Sequence, residues 1–112
     1  MERRYRLQKN KAFQYVYHRG KSIACHDLVM LHAKGKGMQV GFSVSKKVGK
    51  AVVRNRTKRR MREIVMAELP GLRRGRMLIF VARPGAGEAS FADLSRDMRY
   101  LLRKADLYQE KA

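Results

Sequence analysis

The stretch from Ser45 to Met66, SKKVGKAVVRNRTKRRMREIVM, limits what this chain can fold into more than any other. It holds nine Lys or Arg residues between Lys46 and Arg62 and no acid before Glu63. On a helix of about 3.6 residues per turn starting near Lys50, Val53, Thr57, Met61, Ile64 and Val65 fall on one arc. That arc predicts a seam buried against a core, while Lys58, Arg62, Asn55, Arg59, Arg56 and Arg60 follow in this order around the rest of the cylinder. Arg54 with Lys58, Lys58 with Arg62 and Arg56 with Arg60 are like-charge pairs at i,i+4, each costing about 0.2–0.5 kcal/mol in an isolated helix. Repulsion on this scale calls for a polyanion to relieve it, and the planar guanidinium fork suits bidentate contacts to phosphate.

The remaining composition agrees. A chain of 112 residues is expected to form a single domain over 1–112, and its 45% hydrophobic content argues against a disordered basic tail. A formal net charge of +18 points to nucleic acid or an anionic surface as partner. No apolar run approaches the roughly 18 residues of a membrane span, and MERRYRLQKNK lacks the apolar part of a secretory signal, so a cytoplasmic location without membrane partner is expected. Cys25 is the single cysteine, which leaves no intramolecular disulfide and no Cys-based metal cluster.

Along the chain, residues 1–9 read as a basic N-terminal arm with Leu7 as its first anchor. Asn10 is expected to cap a helix to about Arg19, ended by Gly20, with Phe13, Val16 and Tyr17 on one stripe. Lys21 to Ala33 reads as extended, with its clearest strand at Leu28–Ala33. Lys34 to Gly37 then reads as a hairpin turn into Met38–Ser45. In that strand Val40, Phe42 and Val44 alternate with Gly41, Ser43 and Ser45, a small face with room for something to lie on it. Pro70 and Gly71 stop the basic helix, and MLIFVA at Met77–Ala82 has the pattern of a strand buried on both faces. Ser90 and Asp93 form a capping box for a last amphipathic helix to about Lys104. The order helix, strand, strand, helix, strand, helix predicts an α+β two-layer sandwich.

Catalytic patterns are missing from this reading. Cys25, His26 and Asp27 are adjacent, and neighbours in an extended segment point to opposite faces, which argues against a triad. His18 and His32 read as surface or packing residues. Asp93 and Asp97 read as charge complementing a helix N-terminus, and no carboxylate cluster suits a two-metal nuclease. Gly35 and Gly37 lack the lysine and hydroxyl of a phosphate loop. An RNA or DNA binder with no active site and no metal site of its own is the expectation.

At Lys46 to Glu63 the sequence resembles the bacterial ribonuclease P protein component, whose signature is an Arg- and Asn-rich helix. Lys46, Lys47, Ala51, Arg54, Asn55, Lys58, Arg59 and Arg62 meet its fixed positions. YRLQKNKAFQYVYHRG is similar to its first helix, GFSVS to the strand before the basic helix, and MLIFVARPGA to its third strand. The resemblance implies a left-handed βαβ crossover, against the usual right-handed preference. It also implies the small subunit of a ribonucleoprotein endonuclease that removes the 5′ leader from precursor tRNA, in which the RNA subunit performs a Mg-dependent cleavage. Its partners would be ribonuclease P RNA and precursor tRNA, with no obligate protein partner and no cofactor held by protein side chains alone. Lys46, Lys47, Arg54, Asn55, Arg56, Arg59 and Arg60 would face the catalytic RNA. Phe13 and Tyr17 would line the cleft for the single-stranded leader, and Lys58 and Arg62, adjacent on the helical wheel and displaced from Arg56 and Arg60, are expected to face the same cleft. Thr57 stands in the seam where relatives usually have an aliphatic residue, and Leu31 stands where some have an aromatic.

Two binding readings and one enzymatic reading compete. A ribosomal or RNA-chaperone protein shares the charge and the helix but needs no leader-binding aromatics. A membrane-surface binder needs a larger apolar face opposite the charge. An autonomous nuclease would cut RNA without an RNA partner.

Overall fold

Apolar runs punctuated by turn residues produce seven principal elements within residues 3–109, the part of the chain that the computed structural model describes. They are α1 (Asn10–Arg19), β1 (Lys21–Ala24), β2 (Leu28–Lys34), β3 (Met38–Ser43), α2 (Ala51–Glu68), β4 (Arg76–Ala82) and α3 (Phe91–Lys104). Met1 and Glu2 of the expected arm, and the acid Glu110, lie outside the described residues. The sheet order is β1-β2-β4-β3, with β3 parallel to β4 and the other neighbours antiparallel. β3, α2 and β4 therefore form a βαβ unit.

The expected hairpin between Leu28–Ala33 and Met38–Ser45 does not form, because β4 lies between these strands. Leu78, Ile79 and Phe80 are fully buried in succession, so β4 is apolar on both faces and pairs along both edges. At the edge it would leave a row of backbone groups unpaired. The Gly-rich link after β2 instead crosses the start of β4. Gly35 N–H donates to Gly75 O at 3.0 Å, Arg76 N–H to Gly37 O at 3.1 Å, and Gly75 N–H also to Gly37 O. Gly37 (φ 63°) and Gly75 (φ 85°) occupy the left-handed region that this clasp requires.

Lys21–Ala33 is likewise not one extended segment. It is the β1–β2 hairpin, closed at Cys25–Asp27 by a bond from Cys25 N–H to Leu28 O of 2.9 Å. At the start of α1 the cap position falls to Lys9, which makes no side-chain cap bond, and Asn10 is the first helical residue. The Ser90 cap is present, its Oγ accepting from Asp93 N–H at 3.0 Å. The Asp93 carboxylate faces Arg96 at 3.4 Å. Asp97, read with Asp93 as charge at the helix N-terminus, is buried at 7% exposure and lies 3.6 Å from Arg96.

α2 and α3 cover one face of the sheet, packing Met61, Ile64, Val65, Leu94, Met98, Leu101 and Leu102 against Leu28, Met30, Val40, Leu78 and Phe80. This is the expected α+β sandwich, with α1 added across the opposite face, where Leu7, Val16 and Ile79 form a second cluster. Of the seam its periodicity predicts, Thr57, Met61, Ile64 and Val65 are buried, and Val53 at its start is partly buried against the core. Burying one large aliphatic side chain contributes about 1.5–3 kcal/mol, so three such residues outweigh the like-charge pairs on the helix several-fold. Thr57 packs without an orphan hydroxyl, because its Oγ1 donates to Val53 O at 2.9 Å.

The small sheet face at Gly41 is occupied by α1. A Cβ on Gly41 would stand 2.5 Å from Phe13 Cζ and 3.3 Å from Leu7 Cβ. Gly41→Val is expected to destabilise the fold by about 1–3 kcal/mol through overpacking, and adding Phe13→Ala should recover part of the loss. Urea unfolding of the three chains checks this, and an unchanged midpoint in Gly41→Val would contradict the close contact.

Candidate nucleic-acid interface

The turn before α2 starts the site. Lys46–Val48 is a single 3₁₀ turn anchored by buried Val48, which leaves Lys46 and Lys47 exposed. Gly49 follows at φ 152° and ψ −168°, a conformation for which glycine is suited, and its Cβ position lies 3.0 Å from Val53 Cγ1. The lysine pair is thereby held at the head of α2.

Around α2 the predicted wheel is reproduced. Asn55, Lys58 and Arg59 are exposed, and Arg54, Arg56, Arg60 and Arg62 are half-buried. Arg56 and Arg60 form one flank, where Arg56 Nη2 donates to Gly87 O and Arg60 Nη1 to Ala89 O, each at 3.2 Å. These arginines tie α2 to the loop before α3. The sequence assigned them only a binding role, and no local pattern announces partners about thirty residues away. Lys58 and Arg62 occupy the other flank.

Among the described residues, no carboxylate comes within 4.0 Å of a cation between Lys46 and Arg62 to form an ion pair. The acids that pair do so elsewhere: Asp106 with Arg73, Asp93 and Asp97 with Arg96, Glu68 with Arg99. Among the described residues, the positive charge from Lys46 to Arg62 thus has no ion-pair partner, the condition for a strong local potential.

Lys58 and Arg62 share a cleft of about 330 Å³ with Phe13, Gly41, Phe42, Arg6 and Gln8. It runs between α1, β3 and α2, so Phe13, expected there from the resemblance, shares one space with Lys58 and Arg62, expected there from their place on the helical wheel. Tyr17 is one turn further along α1, 41% exposed and outside that ring of side chains. Arg6 and Gln8 were not foreseen. They flank buried Leu7, whose N–H donates to Val40 O at 3.0 Å and lays the arm beside β3. The anchoring role read for Leu7 was the available signal.

The remaining reactive groups do not assemble a nucleophile. His26 Nδ1 is 2.9 Å from Asp27 Oδ1, while Cys25 Sγ donates to Leu28 O at 3.5 Å. Burial pushes the Cys25 thiol pKa up, against the thiolate. Among the described residues no three His, Cys, Asp or Glu side chains gather closely enough to hold a metal ion, and no helix is long and apolar enough to cross a membrane.

These features define a class: a small basic α+β protein whose unneutralised cationic helix adjoins an aromatic cleft. Comparison with known proteins narrows it. The family model described as Ribonuclease P matches residues 1–106. The Ribonuclease P protein component of Bacillus velezensis is 41% identical, with 100% of this chain and 98% of the relative covered. That of Caldanaerobacter subterraneus is 43% identical over 95% of this chain and 93% of the relative. Among solved structures, the Staphylococcus aureus RNase P protein superposes with a TM-score of 0.87 at 30% identity, covering 94% of this chain and 98% of that one. The Thermotoga maritima RNase P protein, bound to 1-(4-fluorophenyl)-2-thiourea, gives 0.82 at 27% identity, covering 88% and 98%. The chain belongs to the ribonuclease P protein family.

Bonded and exposed side chains of α2 predict different mutant behaviour. Arg56→Ala and Arg60→Ala should each lower unfolding free energy by about 0.5–1.5 kcal/mol, the usual worth of one such hydrogen bond. Asn55→Ala and Arg59→Ala should stay within about 0.5 kcal/mol of the parent. Thermal or urea unfolding of the four variants decides it, and equal losses at all four sites would contradict the assignment.

Proposed function

We propose that this chain is the protein subunit of a bacterial ribonuclease P, binding the catalytic RNA and the 5′ leader of precursor tRNA while the RNA performs cleavage. The observation that carries the reading is the juxtaposition on α2: an unneutralised cationic face on one side and the Phe13 cleft on the other. In this reading Lys46, Lys47, Arg54, Asn55 and Arg59 meet phosphates of the catalytic RNA. Arg56 and Arg60 take part with the guanidinium N–H groups left over after their bonds to Gly87 and Ala89.

Phe13, Lys58 and Arg62 hold the single-stranded leader, with Tyr17 extending the aromatic strip along α1. An aromatic face accepts any base, and the flanking cations follow the backbone, which suits a leader of variable sequence. Mature tRNA has no leader to place there, so the cleft favours precursor over product. The divalent metal is held by the RNA partner, and the protein contributes by neutralising phosphates so that less metal is needed. The site of action is the cytoplasm, with no obligate protein partner.

Cleavage of precursor tRNA at low magnesium tests this directly, using a bacterial ribonuclease P RNA with and without the protein, and the protein alone. Cleavage only when both are present is expected. Cutting by the protein alone would reveal an active site of its own, and binding without stimulation would favour an RNA chaperone. Phe13→Ala should weaken precursor binding by about 1–3 kcal/mol, the worth of one stacked base, and leave mature tRNA binding unchanged.

A further inference from the structure

A second cationic cleft lies outside both surfaces just described. It measures about 410 Å³ and is lined by Tyr15, Arg19, Lys21, His32, Lys34 and Arg76, and among the described residues its lining includes no acid and no residue of α2. Tyr15 and Arg19 sit one helical turn apart on the side of α1 away from Phe13. Strand register supplies the other walls, since Lys21 is directly opposite His32 and Lys34 directly opposite Arg76.

Cross-strand pairs of like charge are destabilising. Lys34 with Arg76 is such a pair, so the sheet end repeats the unrelieved repulsion that marks α2. Asp106, next in sequence to the cleft residue Ala105, pairs with Arg73 at 3.7 Å and does not line the cleft. Burial, and to a lesser degree the charges of Arg76 and Lys21, hold the His32 pKa below its ordinary value. Tyr15 is 48% exposed beside these cations, and an accessible aromatic ring flanked by positive charge suits a base and its phosphates.

We infer that this cleft is a second phosphate site, which takes the backbone of a single-stranded RNA segment with a base against Tyr15. The recess suits a single strand, whose bases splay apart, better than an A-form duplex read across its shallow groove. Its size falls within the about 300–1,000 Å³ usual for small-ligand pockets. The inference rests on the RNA-binding reading for the identity of the polyanion, and adds a surface that reading does not use. Both the catalytic RNA and the upstream part of a long leader present this chemistry.

The test is NMR observation of the His32 ring in the full chain during titration with a short single-stranded oligoribonucleotide, together with affinity measurements on the Arg19→Glu/Lys34→Glu double variant. The His32 signals should shift on titration. The double variant should bind RNA at least several-fold more weakly, with a salt slope lower by about 1.4, at about 0.7 per phosphate contact on single strands. Arg59→Glu should weaken binding while keeping the His32 response. Tyr15→Ala, which changes no charge, gives a second variant and should weaken binding without altering the salt slope. Precursor tRNAs with stepwise longer leaders, and ribonuclease P RNA alone, separate the two sources: a defect growing with leader length assigns the leader, and a defect with the catalytic RNA alone assigns that RNA. A silent His32 and unchanged affinity in the double variant, with Arg59→Glu still defective, would overturn the inference and leave RNA binding by α2 intact. No RNA binding by the parent chain would overturn both.

Discussion

Burial of the α2 seam is the constraint on which the rest of this structure depends. Thr57, Met61, Ile64 and Val65 are the buried residues of an eighteen-residue helix rich in arginine and lysine, and they hold it against the sheet and α3. A seam this narrow leaves most of the cylinder free for charge. It is sufficient because each buried aliphatic chain contributes several times what one like-charge pair costs. Widening the seam would add stability and remove cationic surface.

The βαβ unit uses the same helix as its connection. β3 delivers the chain to the exposed lysine pair, α2 returns it, and β4 enters between β2 and β3. Placing β4 at the centre gives the most apolar strand two partners and brings α1 against the small face of β3. Phe13 is thereby brought beside Lys58 and Arg62. The aromatic group and the cations, some forty-five positions apart in the chain, meet only because of this strand order.

Local periodicity was legible in the sequence. The α2 seam, the order of cations around it, the buried run of β4 and the Ser90 cap all follow from spacing that a single element decides alone. Strand order was not legible, since the Gly-rich link after β2 suits a hairpin as well as a crossing. What decides between them is the demand of β4 for two edges, a long-range condition. The same limit hid the bonds from Arg56 and Arg60 to the loop before α3, the burial of Asp97, and Arg6 and Gln8 at the cleft. Of the candidate site, the placement of the cations around α2 was readable because one helix decides it, whereas the meeting of Phe13 with Lys58 and Arg62 depends on strand order. The cleft at the far sheet end was not readable, because its six side chains come from four elements.

The central claim is that α2 divides two RNAs between its flanks. Site-directed cross-linking of the assembled ribonucleoprotein tests it most directly, using single cysteines introduced as Arg59→Cys and Phe13→Cys in a Cys25→Ser background. A reagent at position 59 should mark the catalytic RNA, and the same reagent at position 13 should mark the leader of bound precursor tRNA. Both positions marking the same RNA, or position 59 marking the leader, would contradict the account.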